Sequence, residues 1–179
     1  MKFTRYLVLA IAVTSLFSLS AYTQKTTSKR TAKASTTKTA ATLPPLEVRS
    51  ARVKVSNQQA NISLFLERLG PVAQAIEALD AESKTKKLKQ ESLDKNASDK
   101  QKVIAAIRNL RDGMVKLESE FKVKPALKKY LPTIQGISEL AGQAETSAIA
   151  GKFVAANTPL RTIEQKLNDT LAAMPNAEL

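Results

Sequence analysis

Residues 103–121, VIAAIRNLRDGMVKLESEF, decide the fold class of this chain. Large apolar residues recur there at alternating intervals of four and three, the spacing of one helical face: Val103, Ile107, Leu110, Met114, Leu117 and Phe121. On the opposite face, charges of alternating sign stand four residues apart, as is typical of a solvent-facing ladder: Arg108, Asp112, Lys116 and Glu120. We therefore predict a long amphipathic helix that begins near a capping box at Ser98 and Gln101.

A second apolar stripe precedes this helix and predicts another one. Its members are spaced three and four apart: Ile62, Phe65, Leu69, Val72, Ile76 and Leu79, with Val55 one heptad upstream. Pro71 lies within the stripe, so we expect it to kink the helix or split it near Gly70. The lysine-rich residues 84–97 are predicted to form a solvated connection or a frayed helical extension. Their lysines and those of residues 122–129 are predicted to lie at opposite ends of the folded domain, roughly 35 Å apart.

The rest of the chain also has helical spacing. Pro125 is predicted to begin a third helix that bends at Pro132 and Gly136, and residues 144–156 form a helical segment interrupted by glycine. A last helix is expected from Asn157 or Thr158 as cap to Pro175 as stop, with a clear apolar stripe: Leu160, Ile163, Leu167, Leu171 and Met174. We therefore predict an all-α fold, an antiparallel bundle of four to five helices over residues 47–179. An alternative use of the stripes is pairing with a helical partner protein or within a homodimer.

The first twenty residues have the pattern of a cleavable signal peptide. Lys2 and Arg5 precede an apolar run over residues 6–19, and Ser18 and Ser20 are small residues at the −3 and −1 positions of a cleavage site. We predict an exported protein, periplasmic or secreted, and the absence of cysteine favours a bacterial periplasm. The alternative is a membrane anchor formed by an uncleaved signal, because five basic residues follow the apolar run closely.

Residues 21–46 form a linker rich in Lys, Thr, Ser and Ala, which we predict to be disordered because it has little to bury. Its basic side chains are the candidate contacts to a polyanion: Lys25, Lys29, Arg30, Lys33 and Lys38. The predicted partners are anionic envelope polymers or a membrane surface. The alternative is that the linker is only a spacer between the signal and the helical domain.

The residue inventory excludes many kinds of chemistry. The chain has no histidine and no cysteine, which removes Ser-His-Asp catalysis, thiol redox chemistry and the usual zinc and haem ligands. The carboxylates Glu118 and Glu120 lie two apart on a helix and do not face each other. Glu77 and Asp80 can be neighbours on a helix, but near its C-terminus they are expected to be solvated. We therefore expect no enzyme activity, no catalytic residues, no metal site and no cofactor. With 4% aromatic residues, nucleic-acid binding through base stacking is also disfavoured.

These observations favour a non-enzymatic binding or scaffolding role at the cell envelope. Two alternatives remain open: a periplasmic chaperone-like or regulatory module that binds client peptides, and a carboxylate-based enzyme with two converging acids. Residues 131–135, LPTIQ, resemble the Leu-Thr-x-x-Gln repeat of small periplasmic helical chaperones, with Pro132 inserted before the threonine. This resemblance covers five residues, and we carry no function over from it.

Overall fold

The computed structural model describes residues 43–176, and within that range the chain is helical without any β-strand. Two long helices, α1 (Leu46–Ser83) and α2 (Gln90–Val123), are followed by a 3₁₀ helix at Pro125–Tyr130. Three shorter helices complete the chain: α3 (Leu131–Ile134), α4 (Ile137–Ile149) and α5 (Asn157–Ala173). The all-α prediction is confirmed, whereas the signal peptide (1–20) and nearly all of the linker lie outside the described residues.

The four longer helices form an antiparallel bundle. Helix α1 packs against α2 and α5, and α4 closes the bundle by packing against the same two helices. The direction of α1 and α2 follows from ion pairs at both ends, since Lys54 meets Glu120 and Lys100 meets Asp80. Arg108 of α2 pairs with Glu145 near the end of α4, so these helices are antiparallel as well.

The apolar stripes meet in one interior. The stripe of α2 is confirmed at five of its six positions, with Leu110 only partly buried. In α1 the predicted stripe is confirmed at Val55, Ile62, Leu69 and Ile76, but Leu66 and Ala73 are buried in place of Phe65 and Val72. Phe65 is only partly buried and Val72 is 38% exposed.

Helix α1 runs unbroken through Pro71, so the predicted split near Gly70 is wrong. The proline is exposed, and its missing N–H removes one backbone hydrogen bond on the solvent side. Leu69, Ala73 and Ile76 are buried on either side of it. Packing on both sides of the proline therefore holds the helix together.

Helix α2 begins at Gln90, eight residues before the predicted capping box, so the capping-box start is wrong. Of residues 84–97, only 84–89 form a connection, and 90–97 are helical, as in the alternative of a helical extension. The additional turns are fixed to α1 by polar contacts. Asn96 is buried and donates a hydrogen bond of 2.8 Å to the Asp80 carboxylate, which also accepts one from Lys100 at 2.6 Å. The connection itself is short and contains four lysines: Lys84, Lys86, Lys87 and Lys89.

Glycines separate the later segments, as predicted. Gly136 adopts a left-handed conformation with φ of 88° and divides α3 from α4, and Gly151 with φ of 74° follows the end of α4. Residues 151–156 form turns rather than the predicted helix. Helix α5 begins at Asn157 without a side-chain cap, which corrects the predicted capping role, and its buried stripe is confirmed at Leu160, Ile163 and Leu167.

Candidate anion-binding surface

The five predicted contact residues, Lys25 to Lys38, lie outside the described residues, but the structure shows where their segment joins the bundle. Pro44 and Pro45 line a groove of about 470 Å³ at one end of the bundle, together with Pro125, Lys129 and Tyr130. At least the end of the linker is therefore tethered beside this groove.

The folded residues at this end of the bundle are also basic. Residues 47–54 and 118–130, which we call the basic end, contain seven basic and three acidic side chains. By contrast, residues 131–179 contain three basic and five acidic side chains. The end of the bundle that the linker joins therefore carries four more positive than negative charges, and Lys84–Lys89 form a second basic cluster at the other end.

The basic end includes both neutralised and free cations. Lys54 and Lys124 share the Glu120 carboxylate at 2.7 and 2.5 Å, and Lys122 pairs with Glu118 at 2.7 Å. Lys128 and Lys129 are exposed and make no ion pair within the described residues. The Lys129 ammonium lies 4.8 Å from the centre of the Tyr130 ring, a cation–π contact that leaves its charge open to an anion.

Arg52 belongs to the same end but has a structural task. Its guanidinium donates hydrogen bonds to the carbonyls of Leu171 and Met174, where α5 ends. The last carbonyls of a helix have no partner within the helix, so a cation placed there satisfies them and complements the helix dipole. Arg52 therefore links α1 to the end of α5.

The Glu118 carboxylate is buried and caps α4 from a different helix. It accepts hydrogen bonds from the backbone N–H of Gly136 at 3.1 Å and of Ser138 at 2.9 Å, and from the Ser138 hydroxyl at 2.6 Å. Burial by itself would raise its pKa, but these hydrogen bonds and Lys122 outweigh burial and lower the pKa to about 2. Glu118 therefore remains ionised in the folded protein and supplies the cap that α4 lacks in its own sequence.

The Glu145 and Glu120 carboxylates are likewise paired with cations. Arg111 and Arg108 hold Glu145 and lower its pKa. For Glu120, burial opposes ionisation, but Lys124 and Lys54 lower the pKa below its ordinary value. Glu118 faces α4 and Glu120 faces α1, so the two diverge as predicted.

Glu77 and Asp80 differ from their predicted solvated state. Both line a shallow cavity of about 580 Å³ at the opposite end of the bundle, with Lys84 and Lys152. Glu77 accepts a hydrogen bond of 2.8 Å from the backbone N–H of Val154, and Asp80 binds α2 as described above. Each carboxylate thus connects α1 to another element.

The two lysine clusters lie at opposite ends of the bundle, as predicted. Lys84–Lys89 and the basic end are separated by α2, whose 34 residues span about 51 Å. This exceeds the predicted separation because α2 starts earlier than expected. Several Debye lengths lie between the clusters at physiological salt, so they act independently.

Among residues 43–176, no helix is both long and apolar enough to span a bilayer. Within the same range, the acidic side chains form no group of three that could hold a metal ion. No protein-family model matches the sequence, and no curated protein or solved structure matches it.

Proposed function

We propose that this protein is an exported, non-enzymatic helical bundle that adheres to anionic polymers or to the membrane surface of the cell envelope. The observation that supports the proposal is the excess of positive charge at the end of the bundle that the linker joins. The basic linker joins the bundle beside Lys128 and Lys129, which have no acidic partner among residues 43–176. Clustered phosphate groups are the chemistry that such a surface would attract.

The expected binding is weak and sensitive to salt. Exposed basic side chains near an anionic membrane surface contribute about 1 kcal/mol each, and the attraction decays within a Debye length. The linker has five such charges, and the folded basic end adds the exposed, unpaired Lys128 and Lys129. Binding should therefore fall steeply when the ionic strength is raised.

Cosedimentation with vesicles containing an anionic phospholipid tests the proposal, with purely zwitterionic vesicles as reference. Replacing Lys25, Lys29, Arg30, Lys33 and Lys38 by Gln should remove most of the binding. The Lys128→Gln/Lys129→Gln variant should lose a smaller part of it. The matched control, Lys87→Gln/Lys89→Gln, changes two lysines at the opposite end and should bind like the unmodified protein.

Two results would contradict this function. One is binding that does not change between about 50 and 500 mM salt, since screening must weaken a charge-based attachment. The other is an equal loss of vesicle binding in the Lys128→Gln/Lys129→Gln variant and in the Lys87→Gln/Lys89→Gln control. If the protein binds as expected, competition by soluble lipopolysaccharide or teichoic acid distinguishes a polymer ligand from a lipid headgroup.

A chaperone-like role is the second candidate, and a groove between α1 and α2 favours it. The groove has a volume of about 330 Å³ and is lined by the apolar residues Pro71, Val72 and Leu79, with Lys95 and Asp99 at its polar side. This volume is at the small end of ligand sites. Suppression of aggregation of an unfolded client protein, lost in Val72→Asp, would support this role over adhesion.

A further inference from the structure

The outer face of α1 carries apolar side chains that nothing in the described residues covers. Leu46, Val53 and Leu64 are 71%, 59% and 54% exposed, and Ala60 and Pro71 are exposed as well. Their spacings of seven, seven, four and seven residues place them on one strip of the helix. The strip is opposite the face that packs into the core, so α1 is apolar on two sides.

The middle of this helix is free of charge. Residues 55–66, VSNQQANISLFL, contain no charged side chain over three turns, whereas 25% of the whole chain is charged. A surface helix normally keeps charged residues on its solvent side. Depletion of charge around exposed apolar residues is instead characteristic of the centre of a protein–protein interface.

We propose that this strip pairs with the same strip of a second copy of the chain, with the two α1 helices antiparallel. The strip is self-complementary when the two-fold axis of the dimer passes level with the midpoint between residues 58 and 59 of each helix. Val53 then lies opposite Leu64 of the second copy, and the uncharged middle of one helix faces the uncharged middle of the other. Each contact occurs twice, as in any two-fold symmetric interface.

The charges beside the strip determine the orientation. Arg49 and Glu67 are 18 residues apart, which is five full helical turns, so both lie on the same flank of α1. Neither makes an ion pair within residues 43–176. An antiparallel pair brings Arg49 of each copy next to Glu67 of the other, whereas in a parallel pair this flank of the two helices lies on opposite sides of the contact and the two residues do not meet.

The area of the strip sets the strength of the association. The contact from residue 46 to residue 71 is about 39 Å long, and a width of about 12 Å gives roughly 900 Å² for both copies together. Stable complexes usually bury more than this. We therefore expect a weak dimer whose population increases with protein concentration.

Sedimentation equilibrium over about 10 to 500 μM protein measures this association. The mass should rise toward that of a dimer, and Val53→Lys should weaken dimerisation at least tenfold. Val115→Lys is the matched control, because Val115 is a valine of similar exposure (44%) on α2. Circular dichroism should show the same helix content in both variants.

Two further measurements test the antiparallel register. Arg49→Glu and Glu67→Arg should each weaken the dimer, and the double variant should restore it. The chain has no cysteine, so a mixture of Val53→Cys and Leu64→Cys proteins should form a mixed disulfide, while each variant alone should not. Any one of four results would overturn the proposal. These are a monomer at every concentration, equal effects of Val53→Lys and Val115→Lys, a double variant that does not regain dimerisation, and cross-links only between identical sites.

Discussion

Replacing Glu118 by glutamine tests the idea that a carboxylate on α2 holds the start of α4. The substitution keeps the shape of the side chain but removes its charge and turns one acceptor oxygen into an NH₂ donor. In the native protein both oxygens accept hydrogen bonds, one from Gly136 and the other from Ser138. The amide would place a donor against a backbone N–H and leave Lys122 without its counter-charge.

The size of the effect follows from the pKa of Glu118, which is about 2 in the folded protein against 4.5 for an unperturbed glutamate. Because the folded value is the lower one, the stabilisation is fully present above pH 4.5 and is lost as the pH falls toward 2. Each pKa unit corresponds to about 1.4 kcal/mol, so the ionised carboxylate contributes about 3 kcal/mol at pH 7. Titration with these two pKa values leaves about 1.4 kcal/mol of that contribution at pH 3.

Urea denaturation followed by circular dichroism at 222 nm, repeated from pH 7 to pH 3, measures this directly. Glu118→Gln should lower the free energy of unfolding by about 3 kcal/mol at pH 7, and the difference from the unmodified protein should shrink by more than half at pH 3. Glu67→Gln serves as control, since Glu67 is exposed and should change stability by less than about 0.5 kcal/mol at either pH.

Two outcomes would refute the reasoning. A loss below about 1 kcal/mol at pH 7 would mean that the carboxylate does not cap α4. A loss of full size that persists unchanged at pH 3 would mean that Glu118 matters through its packing and not through its charge.

Four further substitutions can be checked by the same denaturation assay. Gly136→Ala should lower the free energy of unfolding by about 1–2 kcal/mol because φ is 88° there. Gly142→Ala, at a helical site with no heavy atom near the added carbon, should raise it by about 0.5–1 kcal/mol. Equal effects of the two substitutions would contradict the backbone argument. Phe121→Ala should cost about 3–5 kcal/mol because the ring is fully buried, and a loss under 1 kcal/mol would place it outside the core. Pro71→Ala should stabilise by about 1–2 kcal/mol by restoring a helical hydrogen bond, and destabilisation would show that the proline has a packing role.

Helix spacing predicted the fold class because the stripes of α2 and α5 are long and regular. It failed where tertiary contacts outweigh local signals. Gln90 to Asn96 have no strong apolar stripe, and they are helical in a part of α2 where Asn96 and Lys100 bind Asp80 of α1. Pro71 stays within α1 because buried neighbours on both sides of it are packed against the core.

The polar contacts of the bundle were less accessible to sequence reasoning. Glu118 and Glu145 are buried, yet little in the local sequence marks them, because apart from Lys122 their partners are 18 to 37 residues away in the chain. One usable signal was present: α4 starts after a glycine and lacks a capping side chain of its own. A helix start without a local cap requires an acceptor from elsewhere, and a glutamate one position after a core leucine of α2 is placed to provide it.

The two proposed surfaces have a joint geometric consequence. The antiparallel pair would place the starts of the two α1 helices about 39 Å apart, on opposite sides of the two-fold axis. Each start lies beside a basic end, so the two basic ends would face away from each other. A dimer of this kind is bivalent and can contact two anionic surfaces or two places on one polymer. Once one basic end is bound, the other end is held near the surface at a high effective concentration. The dimer would therefore bind much more tightly than either basic end alone.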